Sequence, residues 1–206
     1  MTRAGFLLAR TLRREAPLAR LSAPKSALFT ELAGRRVALV GNARALVERD
    51  EGAEIDRAEI VIRINRAPMP ASRTHGTRTD WLALATAIGA EDLARLNPGR
   101  ILWMSHKRKR LPWRVATAPG FYLHPRADWQ ALGDALGAPP TTGLMMIALL
   151  AESGLAGLAL HGFDFFASRS LTGSRGAAQV PHDFAAEEAF VRALIARDPR
   201  IRQVGG

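Results

Sequence analysis

The chain of 206 residues contains no cysteine. No disulfide can form, nothing ties the protein to an oxidising compartment, and a thiolate-held metal is excluded. Acidic residues are few, 19 against 29 Lys and Arg, so the net charge is +10. Such a protein seeks polyanions: nucleic acid, anionic lipid or phosphorylated substrates. An Arg-rich composition alongside abundant Ala, Gly and Leu also reads as codon bias. Long hydrophobic runs are missing too. The apolar run at residues 6–9 is shorter than the roughly 7–15 residues of a secretory core or the about 20 of a spanning helix. What remains is ordinary: 48% hydrophobic residues, enough for one domain with a real core.

The stretch 36–80 organises the chain. Residues 37–40 (VALV) form a short apolar run, the pattern of a buried strand, and Gly41-Asn42 ends it in a tight turn. Residues 59–64 (EIVIRI) read as a second strand, rich in β-branched residues, that also ends in an asparagine, Asn65. Two strands that each deliver an Asn at the carboxyl end point to a ligand crevice, because open α/β sheets bind just outside those ends. An Asn amide carries both a donor and an acceptor, which suits a base, a ribose or a phosphate. Further strands are expected at 81–85, 100–105, 121–124, 155–161 and 201–204. Helices are expected at 91–96, at 129–136 with Asp128 as N-cap, at 144–152 and at 183–197. Strands alternating with helices predict a Rossmann-like α/β/α sandwich with a mainly parallel sheet. No internal repeat or interdomain linker interrupts it.

The ends and loops are less regular. Residues 1–30 form a basic segment, read as one or two short amphipathic helices facing anionic lipid or as a poorly ordered terminus, ahead of a single domain over 31–206. The basic run 106–110 (HKRKR) reads as a solvated loop or a phosphate contact. Residues 167–181, rich in Ser, Gly and Arg, read as a long loop and a candidate lid.

Three groups of residues carry chemistry. Thr141-Thr142-Gly143 opens a helix after Pro139-Pro140. Its free N–H groups and the positive end of the helix dipole make an anion receptor, and Gly143 admits close approach of a ligand. Gly162-Phe163 follows the next strand. His182 and Glu187 form a His-x4-Glu pair, in which an imidazole titrating near neutral pH can take a proton from a hydroxyl.

These groups resemble the conserved motifs of the eukaryotic-type sialyltransferases, glycosyltransferase family 29. The large motif is matched by Val40-Gly41-Asn42, Gly52-x-x-Ile55-Asp56, Val61-Ile62-Arg63-x-Asn65-x-Ala67-Pro68 and Gly76-x-Arg78-Thr79. The small motif is matched by Pro140-Thr141-Thr142-Gly143 with Gly162-Phe163, and the very small motif by His182-x4-Glu187. The resemblance implies a short, bacterial-type member of variant GT-A fold that transfers a CMP-activated keto-acid sugar, sialic acid or Kdo-like, to a hydroxyl of a glycan or glycolipid with inversion. By carry-over, Gly41, Asn42, Asn65, Thr141, Thr142, Gly143 and Gly162 hold the nucleotide. His182 is the base, and Glu187 holds the helix or orients His182. No Asp-x-Asp occurs in the chain. With a monophosphate leaving group, no metal or other cofactor is expected. The implied location is cytoplasmic, peripheral at the inner membrane face through the basic N-terminus.

The chain departs from the family in three ways. It has no His between Gly162 and His182, where the family places a fourth motif, and Arg169 or Arg175 is the available cation. The disulfide joining the large and small motifs is missing, and so is a membrane anchor. Residues 106–120 and 167–181 remain to hold the acceptor. A non-catalytic nucleotide-binding or membrane-associated module that retains the fold is the alternative, and the missing His is its support. A nucleic-acid-binding role is disfavoured, since no aromatic-basic motif accompanies the dispersed charge. A dinucleotide site is disfavoured because Gly41-Asn-Ala-Arg-Ala lacks the later glycines of a phosphate-binding turn.

Overall fold

The computed structural model describes residues 1–165, 171 and 181–205. Seven strands form one sheet: β1 (Arg36–Val40), β2 (Ile60–Ile64), β3 (Trp81–Leu84), β4 (Arg100–Trp103), β5 (Tyr122–Leu123), β6 (Gly157–His161) and β7 (Ile201–Gln203). Their order is β5-β4-β3-β2-β1-β6-β7, and every neighbouring pair runs parallel. The chain builds outward from β1 to one edge, then returns to add β6 on the other side. Strand order therefore reverses between β1 and β6, where an open α/β sheet leaves a crevice.

The helices in chain order are α1 (Arg3–Thr11), α2 (Glu15–Ala19), α3 (Lys25–Leu32), α4 (Gly52–Arg57), α5 (Ser72–His75), α6 (Ala90–Leu96), α7 (Trp113–Ala116), α8 (Arg126–Leu136), α9 (Thr142–Ala151) and α10 (Phe184–Arg197). Side chains alternate across each strand, so both faces of the sheet carry apolar rows. Val37, Leu39, Ile62, Ile64, Trp81 and Ala83 face one layer, packed by Leu28 and Leu32 of α3, nearly all of α9, and Val191 and Leu194 of α10. Leu82, Leu84, Ile101 and Trp103 face the other, with Val115 of α7 and Leu111.

Residues 1–30 belong to this packing and are not a poorly ordered terminus. Phe6 and Leu18 are fully buried in the second layer, and Phe6 meets the Trp113 ring at 5.1 Å. Only one side of α1 is buried, while Leu7, Leu8 and Leu12 stay exposed. The basic run is not wholly a solvated loop either. Arg108 is buried, donates to Ser105 O and His124 O at 2.6 Å each, and is paired with Glu15. Helix α8 starts earlier than expected. Its N-cap is Pro125, and Asp128 lies in the first turn, where it accepts from Lys25 Nζ at 3.2 Å. The carboxylate is engaged by another helix, so it does not cap its own.

Much of the large motif is scaffold. The Asp56 carboxylate accepts from Thr77 N, Thr77 Oγ1 and Arg78 N at 2.9–3.1 Å. Buried Arg63 donates to Arg78 O at 2.8 Å and His75 O at 2.6 Å, and burial lowers its pKa to about 10. A Cβ on Gly52 would collide with Ser72 O. These contacts hold the connection between β2 and β3, and with it Asn65.

Candidate active site

The crevice between β1 and β6 is closed at its base by backbone. Gly41 N donates to His161 O at 2.8 Å, and Ala43 N donates to Gly162 O at 3.2 Å. A Cβ on Gly41 would collide with the Gly162 carbonyl, so only glycine lets the two loops touch. Gly162 has φ +65°, in the region glycine favours. Beneath it lies a buried pair the sequence did not announce, His161 Nδ1 with Glu51 Oε2 at 2.7 Å.

The two asparagines sit side by side above the strand ends. Asn42 Nδ2 donates to Ile64 O at 3.3 Å. Asn65 adopts the left-handed conformation, φ +55°, and its Oδ1 accepts from Ala85 N at 3.0 Å. Half of each amide is thus used in bracing the loops. Among the described residues, the Asn42 carbonyl oxygen and the Asn65 NH2 have no partner, so the pair offers one acceptor and one double donor to the crevice.

Helix α9 brings the third component. A Cβ on Gly143 would lie 2.7 Å from Phe163 Cε1, so glycine allows the helix start to press against the loop that follows β6. Leu144 N is capped by Thr141 Oγ1 at 3.1 Å, and Met145 N donates to Thr141 O at 3.0 Å. The N–H groups of Thr142 and Gly143 have no acceptor among the described residues. Two free donors at the positive end of a ten-residue helix make an anion site. Thr141 itself has neither donor free: its N–H and hydroxyl donate to Glu187 Oε1 and Oε2 at 2.6 and 2.7 Å.

The spacing of His182 and Glu187 now has a local cause. Asp183 caps α10, its Oδ1 accepting from Ala186 N at 2.9 Å. His182 is then the residue before the cap and Glu187 the fourth of the helix, two positions that face the same side. Both grip the segment ahead of α9. His182 Nδ1 donates to Pro139 O at 2.7 Å, and Glu187 holds Thr141 two residues on. A carbonyl only accepts, so the neutral imidazole carries its proton on Nδ1 and leaves Nε2 as a base. Glu187 makes no hydrogen bond to His182, so Pro139 and not Glu187 orients the imidazole. Burial pushes the Glu187 carboxyl up to about 7; the bonds from Thr141 pull the other way, and Asp183 adds to the rise.

A cavity of about 810 Å³ lies elsewhere, between α8, α9 and the C-terminal half of α10, and is lined by none of these motif residues. It is a trough between helices with no convergent donors from the strand ends, so the crevice is the better candidate for chemistry. Arg169 and Arg175 lie outside the described residues, as does nearly all of 167–181. Among the described residues no group of three or more His, Asp or Glu could hold a metal ion.

The family model for glycosyltransferase family 29 (sialyltransferase) matches residues 10–100. A mammalian sialyltransferase in complex with Gal-β-1-3GalNAc-ortho-nitrophenol superposes with a TM-score of 0.69 at 17% identity, over 98% of this chain and 85% of that one. The sialyltransferase CstII from Campylobacter jejuni in complex with cytidine-5′-monophosphate gives 0.57 at 14% identity, over 84% and 80%. Over residues 10–100 the chain is similar to that family, and in fold it is similar to solved sialyltransferases. Its match to the family model runs through β1, β2 and β3 to the start of β4, and the sialyltransferase fold covers nearly the whole chain. The parallel α/β sandwich expected from the sequence is the fold the chain has. No curated protein matches it.

Proposed function

We propose that this protein is an inverting glycosyltransferase that moves a CMP-activated keto-acid sugar, sialic acid or a Kdo-like sugar, to a hydroxyl of a glycan or glycolipid. The observation that carries the reading is the convergence of the free Thr142 and Gly143 N–H groups with the loops of Asn42 and Gly162, next to a segment on which His182 is held through Nδ1. The CMP phosphate fits the helix donors and the free NH2 of Asn65, and a ribose hydroxyl fits the carbonyl of Asn42. Thr141 acts through Glu187 as part of the frame and not as a nucleotide contact, and Glu187 is a positioning residue.

The chemistry follows from these positions. The anomeric carbon of a 2-keto acid sugar is crowded, so the bond to CMP breaks with oxocarbenium character. The helix N–H groups stabilise the departing phosphate where its charge develops. His182 Nε2 takes the proton of the acceptor hydroxyl as it attacks from the opposite face. One displacement inverts the centre and needs no second nucleophile. The leaving monophosphate carries little charge, which supports independence of divalent metal.

Calorimetric titration with CMP, with and without Mg²⁺, on the wild type and Asn65→Ala tests the donor site. Binding that ignores Mg²⁺ and is lost in the variant is expected; no binding at millimolar CMP refutes the assignment. CMP-sugar transfer by His182→Ala tests the base, with a loss of about 10²–10⁴-fold and little change in CMP affinity. A wild type that binds CMP but neither transfers nor hydrolyses its sugar would instead be the non-catalytic module.

A further inference from the structure

We propose that a basic hollow at the loop after β4, together with the exposed side of α1, docks the protein on an anionic phospholipid membrane by taking a lipid phosphate. The hollow has a volume of about 360 Å³ and is ringed by Arg13, Lys107, Lys109, Arg110 and Arg126. All five are exposed, and among the described residues no ion pair or hydrogen bond engages any of their side chains. This sets them apart in a protein where many surface arginines are paired, as Arg35, Arg73 and Arg202 are with Glu59, Asp50 and Glu54.

The floor of the hollow is built. Arg108 is buried there and neutralised by Glu15, with its remaining donors on Ser105 O and His124 O. His106 stacks on Trp129 at 4.0 Å, and burial followed by the field of Lys107, Arg126, Arg108 and Arg110 holds its pKa below the usual histidine value. The imidazole stays uncharged while the rim stays cationic. Glu15 is thus already spent on Arg108, and the five rim charges are left for an outside anion.

Helix α1 supplies the second half. It rests on the same loop through Arg10, which donates to Leu111 O at 3.1 Å, and through Phe6 on Trp113. Arg13 ends the helix in the left-handed conformation, φ +54°, and joins the rim. On its outer side α1 shows Leu8 and Leu12, one turn apart, at 58% and 52% exposure. Exposed leucines beside a cluster of free cations fit a surface that is apolar below and phosphate-rich above, which is a lipid headgroup layer. No helix among the described residues is long and apolar enough to cross a membrane, so the contact is peripheral.

The test does not use the donor site, so its failure and that of the proposed function are separable. Flotation with phosphatidylcholine vesicles, with and without phosphatidylglycerol, is run on the wild type, Lys109→Glu/Arg110→Glu and Leu8→Ser/Leu12→Ser. The wild type is expected to float only with phosphatidylglycerol and to detach at high salt. Loss of the two positive charges alone should lower the partition by about 25-fold, and the two added carboxylates lower it further; loss of the two leucines should lower it by about tenfold or more. An unchanged thermal midpoint in both variants shows that they fold. The proposal is overturned if the wild type ignores phosphatidylglycerol or if the charge reversal has no effect. It is also overturned if the leucine pair is dispensable while inorganic phosphate binds in calorimetry, which would make the hollow a site for soluble phosphate.

Discussion

Replacing Glu187 with Gln should stabilise the protein at pH 8 and leave it nearly unchanged at pH 5. The carboxyl is buried, and burial raises its pKa to about 7 against an ordinary value of 4.5. Between those values the unfolded chain releases a proton that the folded chain keeps. The folded state binds more protons, so stability falls as pH rises through this window. The full shift corresponds to about 3 kcal/mol, of which about 2–3 kcal/mol falls between pH 5 and pH 8. Protonated Glu187 accepts from Thr141 N and can donate to Thr141 Oγ1. Gln reproduces that pattern at every pH, with its oxygen on the N–H and its NH2 on the hydroxyl oxygen. Urea unfolding of both proteins at the two pH values gives the difference, and titrations common to both cancel. Parallel pH profiles, or a Gln variant less stable than the wild type at pH 8, would show that Glu187 is an ordinary ionised carboxylate and refute the reasoning.

Other substitutions test the frame. Gly41→Ala forces a methyl group into the Gly162 carbonyl; it should cost about 2–4 kcal/mol by urea unfolding, in the range of a large packing defect, and abolish CMP binding. Thr141→Val keeps the shape but removes the helix cap and the hydroxyl held by Glu187; a loss of about 1–3 kcal/mol is expected, with weaker CMP binding as the start of α9 loosens. Phe6→Ala should cost about 3–5 kcal/mol in thermal or urea unfolding, because its ring is fully buried beside Trp113. A change below 1 kcal/mol there would mean that the N-terminal helices fold apart from the sheet.

The central strands were legible because each is a run of apolar residues bounded by turn signals. β2, β3, β4 and β6 fall within the expected ranges, and β1 begins one residue earlier than expected. Nothing local encodes their order, and the reversal between β1 and β6 rests on pairings between distant segments. The burial of Phe6 and Leu18 was hidden for a similar reason. The residues that cover them, such as Leu82, Trp103 and Val115, come from elsewhere in the chain. Asp128 looked like a cap because its type and position suited one, whereas Lys25, over a hundred residues away, engages it. At the site, the motifs named segments that the fold brings together, but not the bonds that brace them. Spacing alone could not tell that Thr141 is sealed by Glu187, or that His182 is oriented by the Pro139 carbonyl.

The pairing of β1 with β6 brings Arg36 beside Gly157. The donor crevice therefore does not exist until most of the polypeptide has been synthesised. Residues 1–140 can emerge from the ribosome with Gly41, Asn42 and Asn65 already synthesised and still have neither the strand that holds Gly41 nor a helix N-terminus to receive a phosphate. Pairing across so long a separation is also the slow step expected for a sheet of this topology. A nucleotide that binds only the finished crevice stabilises the complete fold over every shorter one by mass action. On the proposed reading of the crevice, donor availability in the cell thereby becomes a factor in how much of the newly made protein survives.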